Sequence, residues 1–297
     1  MRVAVAGASG FVGRGLVPAL AAAGHEVRAL TRHPKHYPGQ GTAVAADVAD
    51  PASLPAALDG VEVLVYLVHS LDRADFVARD AEAARAVARA AAAAGVRQIV
   101  YLGGLGDDAD DLSPHLRSRR EVEHLLGEGG VPVTVLRAGI VIGAGGASFE
   151  MLRDLVKHLP VMVAPRWVST RTQPVALADV VGYLSASVGC PAALRQTWDV
   201  GGAEVLRYTD MLHRTAALMG CRRVVLPVPL LTPRLSSLWL SLVTSVDPTT
   251  ARSLVDSMTN EVVVRDDAIR RVLPRPLVSF DDAVRAALSR ESAGVAA

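Results

Sequence analysis

The feature that most constrains this chain is an apolar run that leads directly into three evenly spaced glycines. Residues 2–13 read Arg-Val-Ala-Val-Ala-Gly-Ala-Ser-Gly-Phe-Val-Gly, which predicts a strand, a tight turn and the start of a helix. Gly7 permits the turn, Gly10 lets a ligand approach the backbone, and Gly13 lets the helix pack closely on the strand. The free N–H groups at the helix start then face an anion, so the segment predicts a site for a dinucleotide pyrophosphate. The contacts expected in this loop are Gly7, Ser9, Gly10, Phe11, Val12 and Gly13.

Length and composition narrow the remaining possibilities. The 297 residues are 51% apolar, enough for a sizeable core in one large α/β domain or a domain with a smaller lobe. A formal charge of +1, from 31 basic and 30 acidic residues, argues against a nucleic-acid surface. The two cysteines, Cys190 and Cys221, form neither a disulfide framework nor a metal-ligand set. A cleaved leader would remove the glycine loop, so we expect a reduced, cytoplasmic setting.

Other classes of site have little support in the sequence. No apolar run reaches transmembrane length; the nearest, Val224 to Val246, is interrupted by prolines and Arg234. We interpret that run as a buried pocket wall, with contact to a membrane surface as the alternative. No metal site is expected, and the acidic residues at 107–111 are interpreted as an exposed loop. No feature of the sequence assigns an oligomeric state.

The first two thirds of the chain alternate between strands and helices. The predicted strands are mostly continuous Val, Leu and Ile runs, which are typical of strands buried on both faces of a parallel sheet. We therefore predict an α/β, doubly wound parallel-sheet Rossmann fold with a small C-terminal substrate lobe. The expected division is 1–202 for the Rossmann domain, with 147–172 lent to the lobe, and 203–297 for the lobe itself. The predicted strands are 3–6, 26–31, 43–46, 61–68, 98–102, 133–137, 161–164 and 197–200, and the predicted helices 11–23, 51–58, 75–94, 115–127 and 147–158. The charged residues of the helix at 75–94, Asp80 among them, are expected to lie opposite an Ala/Val face that packs on the sheet. Asp179 is expected to cap a further helix that runs to about residue 188.

The end of the second predicted strand indicates which dinucleotide binds. An acidic residue at this point selects NAD, whereas an arginine accommodates the 2′-phosphate of NADP. This strand ends with Thr31 and Arg32 and offers no carboxylate. We therefore expect NADP, with NADPH preferred over NADH; the alternative is that Arg32 is a solvated loop residue. Other strand ends supply the remaining expected cofactor contacts, which are Asp47, Val48, Leu67, Val68, His69, Gly103, Ala138 and Gly139.

These motifs resemble the short-chain dehydrogenase/reductase superfamily, in particular its atypical or extended NmrA-like NAD(P)H-binding members. The resemblance rests on the glycine loop, the Asp47-Val48 pair, the stretch from Tyr101 to Asp179, and the segment Gln173 to Val180. It implies the Rossmann fold and a nicotinamide cofactor. The resemblance also implies chemistry by a Tyr and a Lys four residues apart on one helix, with a Ser after the preceding strand.

All three of these family positions are changed here. The corresponding helix carries His115 and Arg119, and the serine position falls at Gly103-Gly104. If the protein is an enzyme, we expect His115 to donate a proton and Arg119 to bind the nicotinamide ribose. Glu121 or Glu123 would neutralise part of the basic charge. The alternative is that this helix only binds cofactor or packs.

Two functions remain open from the sequence. The first is an NADPH-dependent oxidoreductase of a small hydrophobic carbonyl or quinone-like compound, with a lid from 147–169 and 207–246. The apolar lid residues behind this expectation are Met151, Leu152, Trp167, Leu230, Leu231 and Trp239. The second is a catalytically impaired NADP-binding redox sensor, or an assembly or regulatory protein, for which a small hydrophobic molecule is an effector.

Overall fold

Seven parallel strands form the central sheet of the protein. A computed structural model describes residues 1–227 and 244–295, and the strand order in its sheet is β11-β6-β5-β4-β1-β2-β3. Every neighbouring pair in this sheet is parallel. The reversal of strand order between β1 and β4 is the switch point at which doubly wound sheets bind ligands. The sheet strands are β1 (Arg2–Ala6), β2 (Glu26–Thr31), β3 (Thr42–Ala45), β4 (Val63–Tyr66), β5 (Gln98–Gly104), β6 (Val133–Ala138) and β11 (Thr197–Val200).

Helices cover both faces of the sheet, as the buried strands require. One apolar cluster packs α1 and α6 against the sheet, and a second packs α2, α3 and α4 against the opposite face. The prediction of a doubly wound parallel fold is therefore confirmed. The α-helices in the described residues are α1 (Phe11–Ala22), α2 (Leu54–Leu58), α3 (Phe76–Ala93), α4 (Pro114–Gly127), α5 (Ala147–His158), α6 (Leu177–Ser187), α7 (Tyr208–Leu218), α8 (Pro248–Ser257), α9 (Ala268–Val272) and α10 (Phe280–Val295).

A third apolar cluster lies beyond the sheet. It brings together side chains of α5, α7, α8 and α10 with those of short strand pairs. Among the described helices, none is both long and apolar enough to cross a bilayer. The short pairs are β7 (Val141–Ile142) with β10 (Val175–Ala176), β8 (Val161–Ala164) with β13 (Val224–Pro227), and β9 (Arg171–Thr172) with β12 (Leu206–Arg207).

The chain returns to the main sheet after this cluster. Helix α9 packs beside β11, and its Ile269 belongs to the apolar cluster that covers β1 and α1. The segment from 203 onward thus contacts both the sheet and the third cluster. The division into a Rossmann domain of 1–202 and a lobe of 203–297 stays a proposal.

Three local expectations are wrong. Asp80 lies in the buried contact of α3, only 3% exposed, rather than on its charged solvent face. Asp179 does not cap α6, because its Oδ2 accepts the Val278 N–H at 2.9 Å and so ties the C-terminal segment to this helix. Val224 and Leu226 are 51% and 48% exposed, so this end of the expected pocket wall faces solvent.

Candidate functional site

A single open cleft collects the carboxyl ends of β1, β4, β5 and β6. Its volume is about 290 Å³, which lies at the lower end of the range for ligand pockets. Twelve of the residues expected to bind cofactor or act in catalysis line it: Gly7, Gly10, Phe11, Val12, Gly13, Leu67, His69, Gly103, His115, Arg119, Ala138 and Gly139. The topology thus brings side chains from across 130 residues of sequence to the switch point of the sheet.

The glycine loop forms a cradle of bare backbone. Gly7 has φ +87°, a conformation that L side chains rarely adopt, and it turns the chain toward α1. A Cβ on Gly13 would lie 2.2 Å from the Gly7 carbonyl oxygen, so only glycine permits this approach of helix to strand. The N-cap residue, Gly10, has no side chain to accept the first amides of α1. Those amides therefore remain available to an anion, and the residues present fit the pyrophosphate of a dinucleotide.

Five of the expected cofactor residues do not line the cleft. Ser9 and Arg32 are exposed, and Asp47, Val48 and Val68 are partly buried outside its wall. Arg32 directly follows β2. Because Leu30 of β2 pairs with Ala6 of β1, the Arg32 side chain starts beside the glycine loop. The Asp47 Oδ1 already accepts the Ala49 N–H at 3.0 Å. The assignment of these five residues to the cofactor stays a prediction.

His115 is hydrogen-bonded at both ring nitrogens. Its Nδ1 lies 3.1 Å from the Ser257 Oγ, and its Nε2 accepts from the Arg119 Nε at 3.4 Å. Because Arg119 can only donate, the Nε2 is the unprotonated nitrogen, and the Nδ1 carries the proton toward Ser257. The Ser257 hydroxyl in turn donates to the Ser253 carbonyl at 2.8 Å. The imidazole is thus fixed in one orientation and one tautomer.

Arg119 is a buried cation without an ion-pair partner among the described carboxylates. It is 7% exposed and its guanidinium lines the cleft. Glu123, expected to neutralise part of the local basic charge, pairs with Arg137 rather than Arg119, in a bidentate contact at 2.8 and 3.1 Å. Glu121 lies instead 3.9 Å from Arg85. Since a buried charge is costly without a partner, the cleft is electrostatically prepared for an anionic group.

Asp80 supplies part of the compensation at longer range. Burial raises the pKa of its carboxyl, while the Arg119 cation and hydrogen bonds from Ser70 lower it. The sequence offered no sign of this, because a lone carboxylate within an Ala-rich helix is ordinarily solvated.

The two cleft histidines are held neutral. Burial, the Arg119 cation and neighbouring His69 hold the pKa of His115 well below its usual value. Surrounding protein and the same cation also lower the pKa of His69, although its ring faces the open cleft. At pH 7 both rings are therefore uncharged, and Arg119 carries the positive charge among these three residues.

The segment 257–260 closes the side of the site opposite the sheet. The Ser113 N–H donates to the Asn260 Oδ1 at 3.0 Å, and the Asn260 Nδ2 donates to the Asp111 carbonyl at 3.0 Å. The Ser113 and Ser257 hydroxyls are also 3.0 Å apart. The beginning of α4, which carries His115, is thereby fixed by residues more than 140 positions away. No local sequence signal could have found Ser257 or Asn260, because their role depends on tertiary packing.

The expected apolar lid is only partly described. Met151 and Leu152 are buried in the third cluster, and Met258, which was not expected, lines the cleft. The expected lid residues Leu230, Leu231 and Trp239 lie outside the described residues, as does the side chain of Trp167. Three further cleft residues, Ala147, Ser148 and Tyr208, lie within the expected lid ranges. Cleft residues that sequence reasoning missed are Leu71, Leu102, Leu105, Leu116, Val141, Gly146, Thr250, Leu254 and Val262.

Comparison with known families now identifies the domain. A family model described as NAD(P)H-binding matches residues 7–154. The chain carries an NAD(P)H-binding domain. This match and the shared fold agree with the resemblance to NmrA-like NAD(P)H-binding proteins of the short-chain dehydrogenase/reductase type.

Several known proteins are similar to this chain in sequence or in structure. An uncharacterized protein of Mycobacterium tuberculosis is 32% identical over 169 residues, which cover 57% of this chain and only 18% of that protein. A ceramide reductase of Caulobacter vibrioides is 29% identical over 235 residues, covering 76% of this chain and 73% of that enzyme. The structure of an NADPH-dependent quinone oxidoreductase of Escherichia coli in complex with NADPH is 20% identical, with a TM-score of 0.77 over 96% of this chain and 99% of that one. This last likeness shows the shared fold.

Two glycine substitutions separate binding from folding. A Cβ on Gly10 would meet only the Gly7 carbonyl oxygen, at 3.2 Å. We expect Gly10→Val to keep a folded protein but abolish NADPH binding, since the added side chain occupies the space of the pyrophosphate. Gly13→Ala should instead lower the free energy of unfolding by about 1–3 kcal/mol, because its Cβ overlaps backbone. Urea unfolding and fluorescence titration with NADPH measure the two effects, and full NADPH affinity in Gly10→Val would contradict the phosphate cradle.

The lowered pKa of His115 predicts acid sensitivity. Below its unfolded pKa of about 6.5, the unfolded chain binds a proton that the folded ring excludes, so stability falls as the pH falls. Between pH 7 and pH 5 this one group should remove up to about 2 kcal/mol from the free energy of unfolding. His115→Gln should lose correspondingly less over that interval. Urea unfolding at both pH values tests this, with His124→Gln, which removes an exposed imidazole from the same helix, as the matched control; equal losses in wild type and His115→Gln would refute it.

Proposed function

We propose that this protein is an NADPH-dependent oxidoreductase whose substrate is an apolar quinone or related carbonyl compound. One observation carries the proposal: a buried cation, Arg119, faces an apolar cleft at the switch point and has no carboxylate partner among the described residues. The NAD(P)H-binding domain is consistent with it. Further support comes from the similarity of this chain to an NADPH-dependent quinone oxidoreductase in structure and to a ceramide reductase in sequence.

The cofactor would extend from the glycine loop across the strand ends. The amides at the start of α1 would hold the pyrophosphate, and Arg32 the 2′-phosphate of the adenosine ribose. Gly103, Ala138 and Gly139 would border the nicotinamide, which they can approach closely because they carry little or no side chain. When bound, NADPH supplies a hydride to the substrate.

Arg119 would stabilise the charge that appears on the substrate. A quinone takes up a hydride and one proton, and after hydride transfer its remaining anionic oxygen is a phenolate, whose conjugate acid has a pKa near ~10. An alkoxide formed from a simple ketone is far more basic than a phenolate. A fixed guanidinium in a site of low polarity is enough to stabilise a phenolate, which then takes its proton from solvent. The loss of the family Tyr and Lys therefore favours quinone-like acceptors.

His115 would orient the cation rather than act as a charged acid. Its low pKa leaves no imidazolium at pH 7, and its one N–H is directed at Ser257. Proton donation to substrate, the role expected from sequence, would require the other tautomer, in which the Nε2–H opposes the Arg119 Nε–H. That role is retained as a prediction to be tested beside the role of Arg119.

A redox sensor is the second candidate. The observation in its favour is that the family serine position is occupied by Gly103-Gly104 while the phosphate cradle is intact. Such a protein would bind NADPH without turnover.

Cofactor preference is the first test. Charge-assisted hydrogen bonds contribute roughly 1.5–3 kcal/mol, so Arg32 should give NADPH at least a ~10-fold affinity advantage over NADH. Arg32→Ala should remove this advantage while leaving NADH affinity unchanged. Fluorescence titration of both cofactors measures it, and Arg89→Ala, an exposed arginine on α3, is the charge-matched control. Equal wild-type affinities would contradict the NADP assignment.

Turnover is the second test. A panel of quinones and apolar carbonyl compounds is assayed with NADPH, and we expect quinones to be the better substrates. Arg119→Gln should lower kcat on quinones by about 10²–10³-fold, the usual effect of removing a preorganised oxyanion donor. His115→Ala should lower kcat less; a loss of about 10²–10⁴-fold would mark His115 as the proton donor. If wild type shows no turnover with any member, the sensor is favoured.

A further inference from the structure

A second, smaller cavity lies beside the main cleft, within the third apolar cluster. It lies between α5 and α7, with Met151, Leu152 and Leu155 on one side and Met211 and Leu212 on the other. Its volume is about 30 Å³, against about 290 Å³ for the main cleft. The second cavity is therefore a slender extension of the cleft rather than another site for a ring system.

The two cavities adjoin each other. They share four lining residues, Ile140, Ser148, Tyr208 and Met258. Ile140 follows Gly139, so the junction lies next to the strand end where the nicotinamide is expected. A substrate head in the main cleft would thus have the mouth of the second cavity within reach.

The side chains that line the second cavity suit a hydrocarbon ligand. Ser148 and Tyr208 are the only hydroxyl-bearing residues among the nine described residues that line it, and both stand at the junction. The inner wall is formed by buried Met and Leu side chains, 9% exposed or less. An apolar cavity without polar partners does not hold water and weakens the packing around it. Methionine walls adapt to an inserted apolar chain without fixed geometry.

We propose that the second cavity binds a linear alkyl chain attached to the substrate's reducible head. The substrate class is then an amphiphile, a quinone or carbonyl head carrying an unbranched hydrocarbon tail. This inference rests on the proposed function, which supplies the head and the hydride. The tail passes between Tyr208 and Met258 and ends among Met151, Leu155 and Met211.

The proposal is tested with 1,4-benzoquinones that carry linear alkyl groups from methyl to n-decyl, assayed with NADPH below micelle-forming concentrations. Burying each methylene should raise kcat/KM by up to about four-fold until the second cavity is filled. The gain should appear mainly in KM, since the tail is remote from the reacting atoms.

Filling the second cavity should make kcat/KM independent of the length of the alkyl chain. Met211→Phe places a bulkier ring in the cavity, so kcat/KM should no longer rise from the methyl to the n-decyl quinone. The methyl-substituted quinone should keep its wild-type kcat/KM. Met162→Phe is the matched control, because Met162 lies in the same apolar cluster but lines neither cavity. If Met211→Phe does not fold, Leu155→Ala replaces it, and its enlarged cavity should move the optimum to longer chains.

A binding measurement separates this inference from the proposed function. n-Alcohols from butanol to decanol have the tail but no reducible head, and their binding is followed by the shift in Tm. Chain-length-dependent binding that Met211→Phe abolishes supports the second cavity even if no quinone is reduced. If quinones are reduced but kcat/KM does not change with the length of the alkyl chain, the tail site is overturned and the proposed function stands. If neither alcohols bind nor quinones turn over, both proposals are overturned.

Discussion

The close approach of α1 to the end of β1 is the contact on which the rest of the site depends. Because a Cβ on Gly13 would lie 2.2 Å from the Gly7 carbonyl oxygen, this approach requires glycine. It places the first amides of the helix in line with the strand ends, and it thereby fixes where a pyrophosphate can lie. Once that point is set, the parallel sheet places Leu67, Gly103 and Gly139 along the path a dinucleotide must follow.

Beside the cleft, the described carboxylates pair with arginines other than Arg119. Glu123 binds Arg137 in a bidentate pair, and Asp108 contacts both Arg137 and Arg120, so these charges compensate one another at the rim. Arg119, one turn along α4 from His115, has no such partner among the described carboxylates. Burying a cation without a carboxylate partner is unfavourable in free energy. Such a charge is more typical of a functional site than of a structural ion pair. The neutral histidines beside it leave its field undiminished.

The glycine loop and the strand ends that line the cleft could be predicted from sequence, and the part of the cleft built by later segments could not. The glycine spacing and the Val-rich strands are local signals, and strands β2, β8 and β11 have the bounds expected from their apolar runs. Asp80 was misplaced because burial of a carboxylate on an Ala-rich helix depends on a distant arginine. Ser257 and Asn260 were invisible for the same reason: their hydrogen bonds join segments more than 140 residues apart.

The phosphate cradle and the surroundings of His115 are built by different parts of the chain. The phosphate cradle is defined by backbone, whereas the His115 ring is held by Ser257 at the end of α8, and the start of α4 by Asn260 just beyond it. Substitutions in those later segments can alter the polarity and shape above the nicotinamide without disturbing the sheet. Under the function proposed above, the His115–Arg119 pair would act together with Ser257 and Asn260 as one unit, stabilising an anion where the family pair donates a proton.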